Sequence, residues 1–328
     1  MGEKILEIKN LKIIFPTQQG LLRAVEGIDF SVERGKCVAI VGESGCGKSV
    51  TSLATMKLLN PIEALVRADK MELDGIELME LTDKEMQMIR GKKISMIFQD
   101  ALLALNPVMT IGKQMDELFI RHLKLSKKEA KARSIEALRL VGVSDPKMRY
   151  KSYPHELSGG MRQRVLIAMA FSCNPELIIA DEPTTALDVT IQLQVLNVLS
   201  EMQKQQNTAL ILITHDLSVV AHMADEIYVM YSGKIVEKAK TYELFKEPLH
   251  PYTKGLISSV AKMDDEKGEF VQIPDSLPNL IHKPNGCYFA PRCPYATKLC
   301  EEKMPSLQIL ENGRKVRCWR INLIEKDL

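Results

Sequence analysis

A glycine-rich segment at residues 42–49 has the composition and spacing of a phosphate-binding loop. It reads GESGCGKS, which matches Gly-x-x-x-x-Gly-Lys-Ser/Thr, and it lies between an apolar stretch and a helical pattern. Glycines let backbone N–H groups turn toward phosphate oxygens, and the start of the following helix adds a favourable dipole. Lys48 is therefore expected to contact the β- and γ-phosphates, and the Ser49 hydroxyl to coordinate Mg²⁺. The alternative is an ordinary glycine turn.

Two adjacent carboxylates follow about 130 residues later, in LIIADEP at residues 177–183. An apolar strand that ends in Asp181 places that carboxylate at the carboxyl edge of a sheet, where open α/β sheets bind ligands. Asp181 could hold Mg²⁺ directly or through water, and Glu182 could take a proton from an attacking water. Alone, the pair could be an acidic strand end, but after a phosphate loop it indicates nucleotide hydrolysis.

Four cysteines near the end of the chain form a third candidate site. Their spacing is Cys-x5-Cys-x6-Cys-x17-Cys, over Cys287, Cys293, Cys300 and Cys318. In a reducing compartment such a group favours a metal site over disulfides. The residues alone favour Zn²⁺ and an iron–sulfur cluster about equally, with unligated cysteines as the third possibility.

The elements that must position these residues alternate between strand and helix patterns. Apolar strand-like runs alternate with helical segments, one of them from about 189 to 206, which implies a mostly parallel sheet of the α/β class. Residues 110–172 have helical periodicity and predict a helical insertion. Asp74-Gly75 predicts a hairpin. A shift to Pro-rich sequence places a domain boundary near residue 250.

The composition excludes several other classes of protein. Lys and Arg number 44 against 42 Asp and Glu, and aromatic residues make up only 5%, which argues against nucleic-acid binding. The N-terminal MGEKILEIKN does not resemble a signal peptide, and no apolar run approaches the length of a membrane span. The chain is therefore expected to be soluble or peripheral to a membrane.

The segment LSGGMRQR, from Leu157 to Arg164, resembles the signature sequence of ATP-binding-cassette (ABC) ATPases. Ser158, Gly159 and Gly160 would form an N–H-rich turn that opens a helix, a suitable site for an anion. The same turn can be an N-cap, and the two roles share one geometry. In that family the turn binds the γ-phosphate held by the opposite protomer, so that two ATP molecules are enclosed in a head-to-tail dimer.

Other residues match the landmarks of this family in the same order along the chain. Gln99 in MIFQD is similar to the glutamine that senses Mg²⁺ and water. The ALD segment, Ala186 to Asp188, resembles the loop that crosses the dimer interface. His215 matches the histidine that contacts the γ-phosphate, and Phe15 the aromatic residue that stacks on adenine.

The resemblance implies a P-loop NTPase fold: a RecA-like core with an antiparallel β subdomain and a helical subdomain at about 105–172, in a domain that covers residues 1–250. It implies Glu182, His215 and Gln99 as catalytic residues, and Mg²⁺ at Ser49 and Gln99. The residues implied to contact ATP are Phe15, Gly42, Ser44, Gly45, Cys46, Gly47, Lys48, Ser49, Val50, Asp181, Ser158, Gly159, Gly160 and Asp188.

Longer segments are similar to the dipeptide and oligopeptide importer subgroup, among them FQDALLALNPVMTIGKQ, ADEPTTALDVTIQLQVL and HPYTKGL. This implies an ATPase subunit at the cytoplasmic face of a bacterial membrane. Its implied partners are a second ATPase, favoured as a paralogue, two permease subunits and an extracytoplasmic solute-binding protein, with no nucleic acid. The alternatives are import of nickel or another solute, a non-transport ABC ATPase, and a redox-sensing regulator.

The same subgroup ends in a Cys-rich region, which RCPYATKLC and VRC resemble. The resemblance implies that residues 251–328 form a small C-terminal domain and that the four cysteines hold a [4Fe-4S] cluster, with Zn²⁺ as the alternative. A structural role for that metal is the expectation.

Overall fold

The computed structural model describes residues 2–185, 187–261 and 280–321. The strands in that part of the chain are β1 (Lys4–Thr17), β2 (Gly20–Glu33), β3 (Cys37–Val41), β4 (Leu65–Arg67), β5 (Lys70–Leu73), β6 (Ile76–Glu77), β7 (Ile94–Ile97), β8 (Leu177–Asp181), β9 (Ala209–Thr214), β10 (Glu226–Tyr231), β11 (Lys234–Lys240), β12 (Gln308–Ile309) and β13 (Lys315–Val316).

The helices in the same described ranges are α1 (Lys48–Thr55), α2 (Asp83–Ile89), α3 (Ala101–Ala104), α4 (Ile111–Leu123), α5 (Lys127–Leu140), α6 (Pro146–Arg149), α7 (Gly159–Phe171), α8 (Val189–Gln206), α9 (Leu217–Met223), α10 (Thr241–Lys246), α11 (Pro251–Ala261) and α12 (Lys298–Glu302). Among these helices of the described chain, none is both long and apolar enough to cross a bilayer.

The chain divides into two compact units. The first comprises the described parts of Met1–Leu6, Val32–Lys36 and Glu80–Ile213. The second comprises Glu7–Ser31, Cys37–Met79 and the described parts of Thr214–Leu328.

Parallel strands form the centre of the first unit. Strand β8 lies between β7 and β9 and pairs in parallel with both, with Asp181 opposite Ile213. Every residue of β8 and β9 is buried, as expected for parallel strands that are covered on both faces. Helices α3 to α7 follow one another along the intervening chain, and α8 covers the range that the sequence predicts. Capping defines where they begin: Ser126 and Glu129 form a capping box at the start of α5.

A sheet whose residues lie mainly in the second unit has the order β2-β1-β5-β6, with β4 antiparallel to β1 and β6 antiparallel to β5. The turn between β5 and β6 consists of Asp74 and Gly75, whose φ angles are 48° and 76°. Two successive positive φ angles match the twist of a tight hairpin, which is why an Asp-Gly pair is favoured there. The predicted hairpin is confirmed.

A second group of strands in the same unit carries the phosphate loop. Strand β10 pairs in parallel with β3 and antiparallel with β11. Strand β13 pairs with β11, and β12 pairs with β13, so the C-terminal part of the described chain extends this group. Tyr231, Tyr252 and Phe289 meet edge-on or tilted, with ring centroids 4.7–5.5 Å apart. These rings form the centre of an apolar core that joins β10 to residues from the end of the chain.

Candidate nucleotide site

The phosphate-loop segment lies in the second unit, between the buried strand β3 and the start of α1. Gly42, Gly45 and Gly47 have φ angles of 153°, 81° and 111°. A Cβ on Gly47 would lie 2.6 Å from the carbonyl oxygen of Ala24, and a Cβ on Gly42 would collide with the carbonyl oxygen of Met230. Only glycine satisfies both the backbone conformation and the space at these two positions.

Lys48 is buried at the base of this loop. Its ammonium group donates hydrogen bonds to the carbonyl oxygens of Gly42, at 2.7 Å, and Glu43, at 3.0 Å, and lies 3.9 Å from the Cys46 sulfur. Burial raises the pKa of the Cys46 thiol, and the nearby Lys48 charge opposes this rise. The remaining predicted loop residues are Ser44 and Gly45, which are exposed, and Ser49 and Val50, which are half-buried. The loop thus carries a buried cation and a glycine-rich backbone, whose N–H groups are donors of the kind that bind phosphate oxygens.

The predicted general base lies in the first unit, directly after the buried Asp181 that ends β8. Glu182 has a φ of 46°, and its N–H donates to the Ile213 carbonyl oxygen at 2.8 Å. Its carboxylate accepts hydrogen bonds from the amide of Gln99, at 3.0 Å, and from the hydroxyl of Thr185, at 2.9 Å. The left-handed backbone conformation raises the energy of a non-glycine residue by about 1–3 kcal/mol. Residues with such backbone strain cluster at functional sites.

These contacts bring together two residues that the sequence predicts for catalysis, Gln99 and Glu182, which are 83 positions apart. Thr185 is a polar partner that sequence reasoning missed. A hydroxyl three residues after the candidate base was the available signal, because such a side chain can turn back toward it.

The predicted signature turn begins α7 in the first unit. The Ser158 hydroxyl accepts a hydrogen bond from the Met161 N–H at 3.3 Å, so it is the N-cap of this helix. A Cβ on Gly160 would lie 2.5 Å from the Ile191 side chain. Asp188 caps α8 by accepting from the Ile191 N–H at 3.0 Å. Both predicted elements therefore contact the first turn of α8.

A cavity of about 380 Å³ connects these parts of the first unit. Its lining includes Gln99, Gly159, Thr185 and Leu187. The same cavity is thus lined by Gln99, by the signature turn and by the segment before α8. Ala186, in the predicted ALD segment, lies outside the described residues.

Phe15 and His215, two further residues that the sequence predicts for the nucleotide site, belong to the second unit. Phe15 belongs to β1 and is half-buried. His215 directly follows β9 and is exposed.

The four C-terminal cysteines line one small cavity in the second unit, together with residues such as His250 and Trp319. All seven cysteines of the chain are free thiols. Cys287 and Cys293 pack against the core that contains Tyr231, Tyr252 and Phe289, whereas Cys318 packs against a separate cluster of Leu249, Val316 and Ile321.

The prediction of a metal site at these cysteines, whether [4Fe-4S] or Zn²⁺, is wrong. Within the ranges that the structure describes, no three or more His, Cys, Asp or Glu side chains form a group that could hold a metal ion. Burial raises the pKa of the thiols of Cys287, Cys293 and Cys318, that of Cys293 to about 11. A raised pKa favours the neutral thiol, which packs as a small apolar side chain.

Two family models match the chain. The model of the ABC transporter family covers residues 25–185, and the model of the oligopeptide/dipeptide transporter C-terminal region covers residues 236–300.

Whole-chain relatives give the same result. The chain is 49% identical to the dipeptide transport ATP-binding protein DppD of Bacillus subtilis, over 97% of this chain and 95% of the relative. It is 45% identical to DppD of Escherichia coli, over 96% of each chain, and 48% identical to the oligopeptide transport ATP-binding protein AppD of Bacillus subtilis, over 96% of each chain.

The fold also matches solved structures. The post-hydrolysis structure of the ATP-binding cassette MJ0796, bound to ADP and Pi, superposes with a TM-score of 0.64 at 27% identity. The match covers 72% of this chain and 98% of that one. The predicted α/β nucleotide-binding fold is confirmed.

Proposed function

We propose that this chain, which belongs to the family of ABC transporter ATP-binding proteins, is the ATP-hydrolysing subunit of an importer for dipeptides or oligopeptides. The observation that carries this proposal is the 49% identity to a dipeptide transport ATP-binding protein across nearly the whole of both chains. The match of residues 236–300 to the C-terminal region of oligopeptide and dipeptide transporters supports the same class of solute. Peptides are therefore favoured over nickel.

The phosphate loop binds ATP and Mg²⁺ in this proposal. Lys48 exchanges its two carbonyl partners for phosphate oxygens, since a flexible ammonium group can follow the stronger acceptor. Ser49 and Gln99 coordinate Mg²⁺ and Asp181 supports the ion, while Phe15 stacks on adenine. The other contacts come from the loop residues Gly42, Ser44, Gly45, Cys46, Gly47 and Val50.

Hydrolysis uses Glu182 as the general base toward water, with Gln99 and His215 near the γ-phosphate. The hydrogen bonds from Gln99 and Thr185 to the Glu182 carboxylate support this role, because they fix where the base lies before substrate arrives. Ser158, Gly159, Gly160 and Asp188 act across a head-to-tail dimer, on the ATP held by the second protomer.

The proposed assembly contains a second ATPase subunit, favoured as a paralogue, two permease subunits and an extracytoplasmic binding protein. The chain lies at the cytoplasmic face of the membrane by binding the permeases. Residues 1–250 form the nucleotide-binding domain, with its helical subdomain at about 105–172, and residues 251–328 form the C-terminal domain. Helices α11 and α12 and strands β12 and β13 support a structured C-terminal part.

Uptake of labelled dipeptides and oligopeptides by the bacterium that encodes this chain tests the proposal. Deletion of the gene that encodes this chain should abolish uptake of at least one peptide class, and a wild-type copy of the gene should restore that uptake. A Lys48→Ala copy should not restore uptake, although the protein accumulates normally. Normal peptide uptake in the deletion strain, with loss of nickel uptake instead, would reject the peptide assignment.

A further inference from the structure

A side chain from the end of the chain reaches the phosphate loop. Arg292 is the last residue of the short 3₁₀ helix Ala290–Arg292 and immediately precedes Cys293. Its guanidinium donates two hydrogen bonds to the Glu43 carboxylate, from Nη1 to Oε2 at 2.9 Å and from Nη2 to Oε1 at 3.1 Å. Nη1 also donates to the Tyr231 hydroxyl at 3.3 Å. This is the bidentate arrangement that Arg makes with carboxylates, and it is both strong and directional.

Glu43 is the second residue of the phosphate loop and is held on three sides. Its N–H donates to the Tyr252 hydroxyl at 2.9 Å, and its carbonyl oxygen accepts from Lys48. The Arg292 side chain is 5% exposed, whereas that of Glu43 is 26% exposed. The carboxylate therefore lies at the edge of solvent, and its cationic partner lies beneath it.

A carboxylate in this loop is electrostatically unfavourable for the loop's own ligand. The N–H groups and Lys48 attract an anion, and an uncompensated negative charge on Glu43 would repel the same anion. Arg292 supplies the compensating charge from a position 249 residues away in sequence.

We propose that Arg292 is a positioning residue for nucleotide binding, which holds and neutralises the Glu43 carboxylate so that the phosphate loop accepts a polyphosphate. The inference rests on the proposed function, since it takes MgATP as the ligand of this loop. It assigns to the C-terminal part of the chain a direct role in nucleotide affinity. The competing possibility is that the pair only fastens the C-terminal part to the loop.

The two possibilities differ in what happens when Glu43 is changed. We expect Arg292→Met to raise the Kd for MgATP about tenfold, because the carboxylate is then unpaired. Glu43→Gln should leave the Kd at or below the wild-type value, since it removes the repelling charge. The double variant should regain most of the lost affinity, a coupling that a double-mutant cycle measures. Arg292→Lys keeps the charge but not the bidentate geometry and should be intermediate.

The experiment is calorimetric titration of the full-length chain with MgATP, with a thermal unfolding midpoint for every variant. Lys238→Met is the matched control, because it breaks a 2.9 Å ion pair with Glu226 on β10 and β11 and should leave the Kd unchanged. A wild-type chain that does not bind MgATP, or a Lys48→Ala variant that binds as tightly as wild type, would reject the proposed function itself.

With wild-type binding established, two results would overturn the role of Arg292. One is a Kd for Arg292→Met equal to that of the control. The other is a Kd that rises equally in Arg292→Met, Glu43→Gln and the double variant, which would indicate a structural fastening. If Arg292→Met does not fold, Arg292→Lys and Glu43→Gln decide: weaker binding only in the former supports the proposal, and equal behaviour refutes it.

Discussion

A buried ion pair in the second unit gives a sharp prediction about stability. Glu237 on β11 is 0% exposed and Arg314 is 4% exposed, with Nη2 of Arg314 3.0 Å from Oε1 of Glu237. The Glu237 carboxylate also accepts hydrogen bonds from the N–H groups of Leu249, at 2.9 Å, and His250, at 2.8 Å. Arg314 further donates to the carbonyl oxygen of Glu247.

Arg314→Met retains apolar volume but removes the charged partner of the buried Glu237 carboxylate, which keeps the two backbone donors described above. Removing one partner of a buried pair costs about 3–5 kcal/mol, because the remaining charge stays desolvated. With an m-value of about 3 kcal/mol per M of urea, since m increases with the length of the chain, the unfolding midpoint should fall by roughly 1–2 M.

Tryptophan fluorescence is the assay for this prediction, since Trp319 is the single tryptophan of the chain. Its indole N–H donates to the Lys303 carbonyl oxygen, and it lies in the same unit as the altered pair. Arg139→Met is the control, because it removes an ion pair with Glu136 whose side chains are 71% and 43% exposed. A midpoint for Arg314→Met equal to that of this control would refute the reasoning.

Two further predictions concern the phosphate loop and acid stability. Gly47→Ala should raise the Kd for MgATP at least about tenfold in calorimetry, because the φ of 111° and the nearby Ala24 oxygen exclude a side chain. Gly75→Ala is the control and should leave the Kd unchanged, because Gly75 also has a positive φ but has open space around it. Burial, with a contribution from the Arg317 charge, lowers the pKa of His250 to about 3, and its Nδ1 accepts a hydrogen bond from the Tyr252 N–H. As the pH falls, His250 is protonated in the unfolded chain before it is protonated in the folded chain. The free energy of unfolding should therefore fall between pH 6.5 and 3, by about 1.4 kcal/mol per pH unit. For His250→Asn, the free energy of unfolding, measured by urea titration at each pH, should fall less steeply on acidification than it does for the wild type. An equal dependence on pH in the two proteins would contradict this account.

Most of the features that were predicted correctly from the sequence depend on local patterns of residues. The phosphate loop, the buried strand before Asp181, helix α8 and the Asp74-Gly75 hairpin each depend on neighbours within a few residues, so spacing and residue type suffice. The contact between Gln99 and Glu182 was not predicted as a hydrogen bond, although both residues were chosen for catalysis.

The remaining features depend on contacts between distant parts of the chain. No local pattern connects Arg292 with Glu43, because the pairing arises from how the end of the chain packs against the loop. The cysteines misled for a related reason. The spacing of the cysteines does not show what each thiol packs against. In the structure, Cys287 and Cys293 pack against one apolar cluster and Cys318 against another.

Turnover of MgATP by Glu182→Gln tests the central claim, that this chain hydrolyses ATP with Glu182 as the base. The variant keeps the hydrogen-bonding shape of the side chain but cannot accept a proton, so turnover should fall by about 10²–10⁴. Calorimetric binding of MgATP should remain close to that of the wild type. Turnover within a few-fold of the wild-type rate, at equal binding, would contradict the assignment.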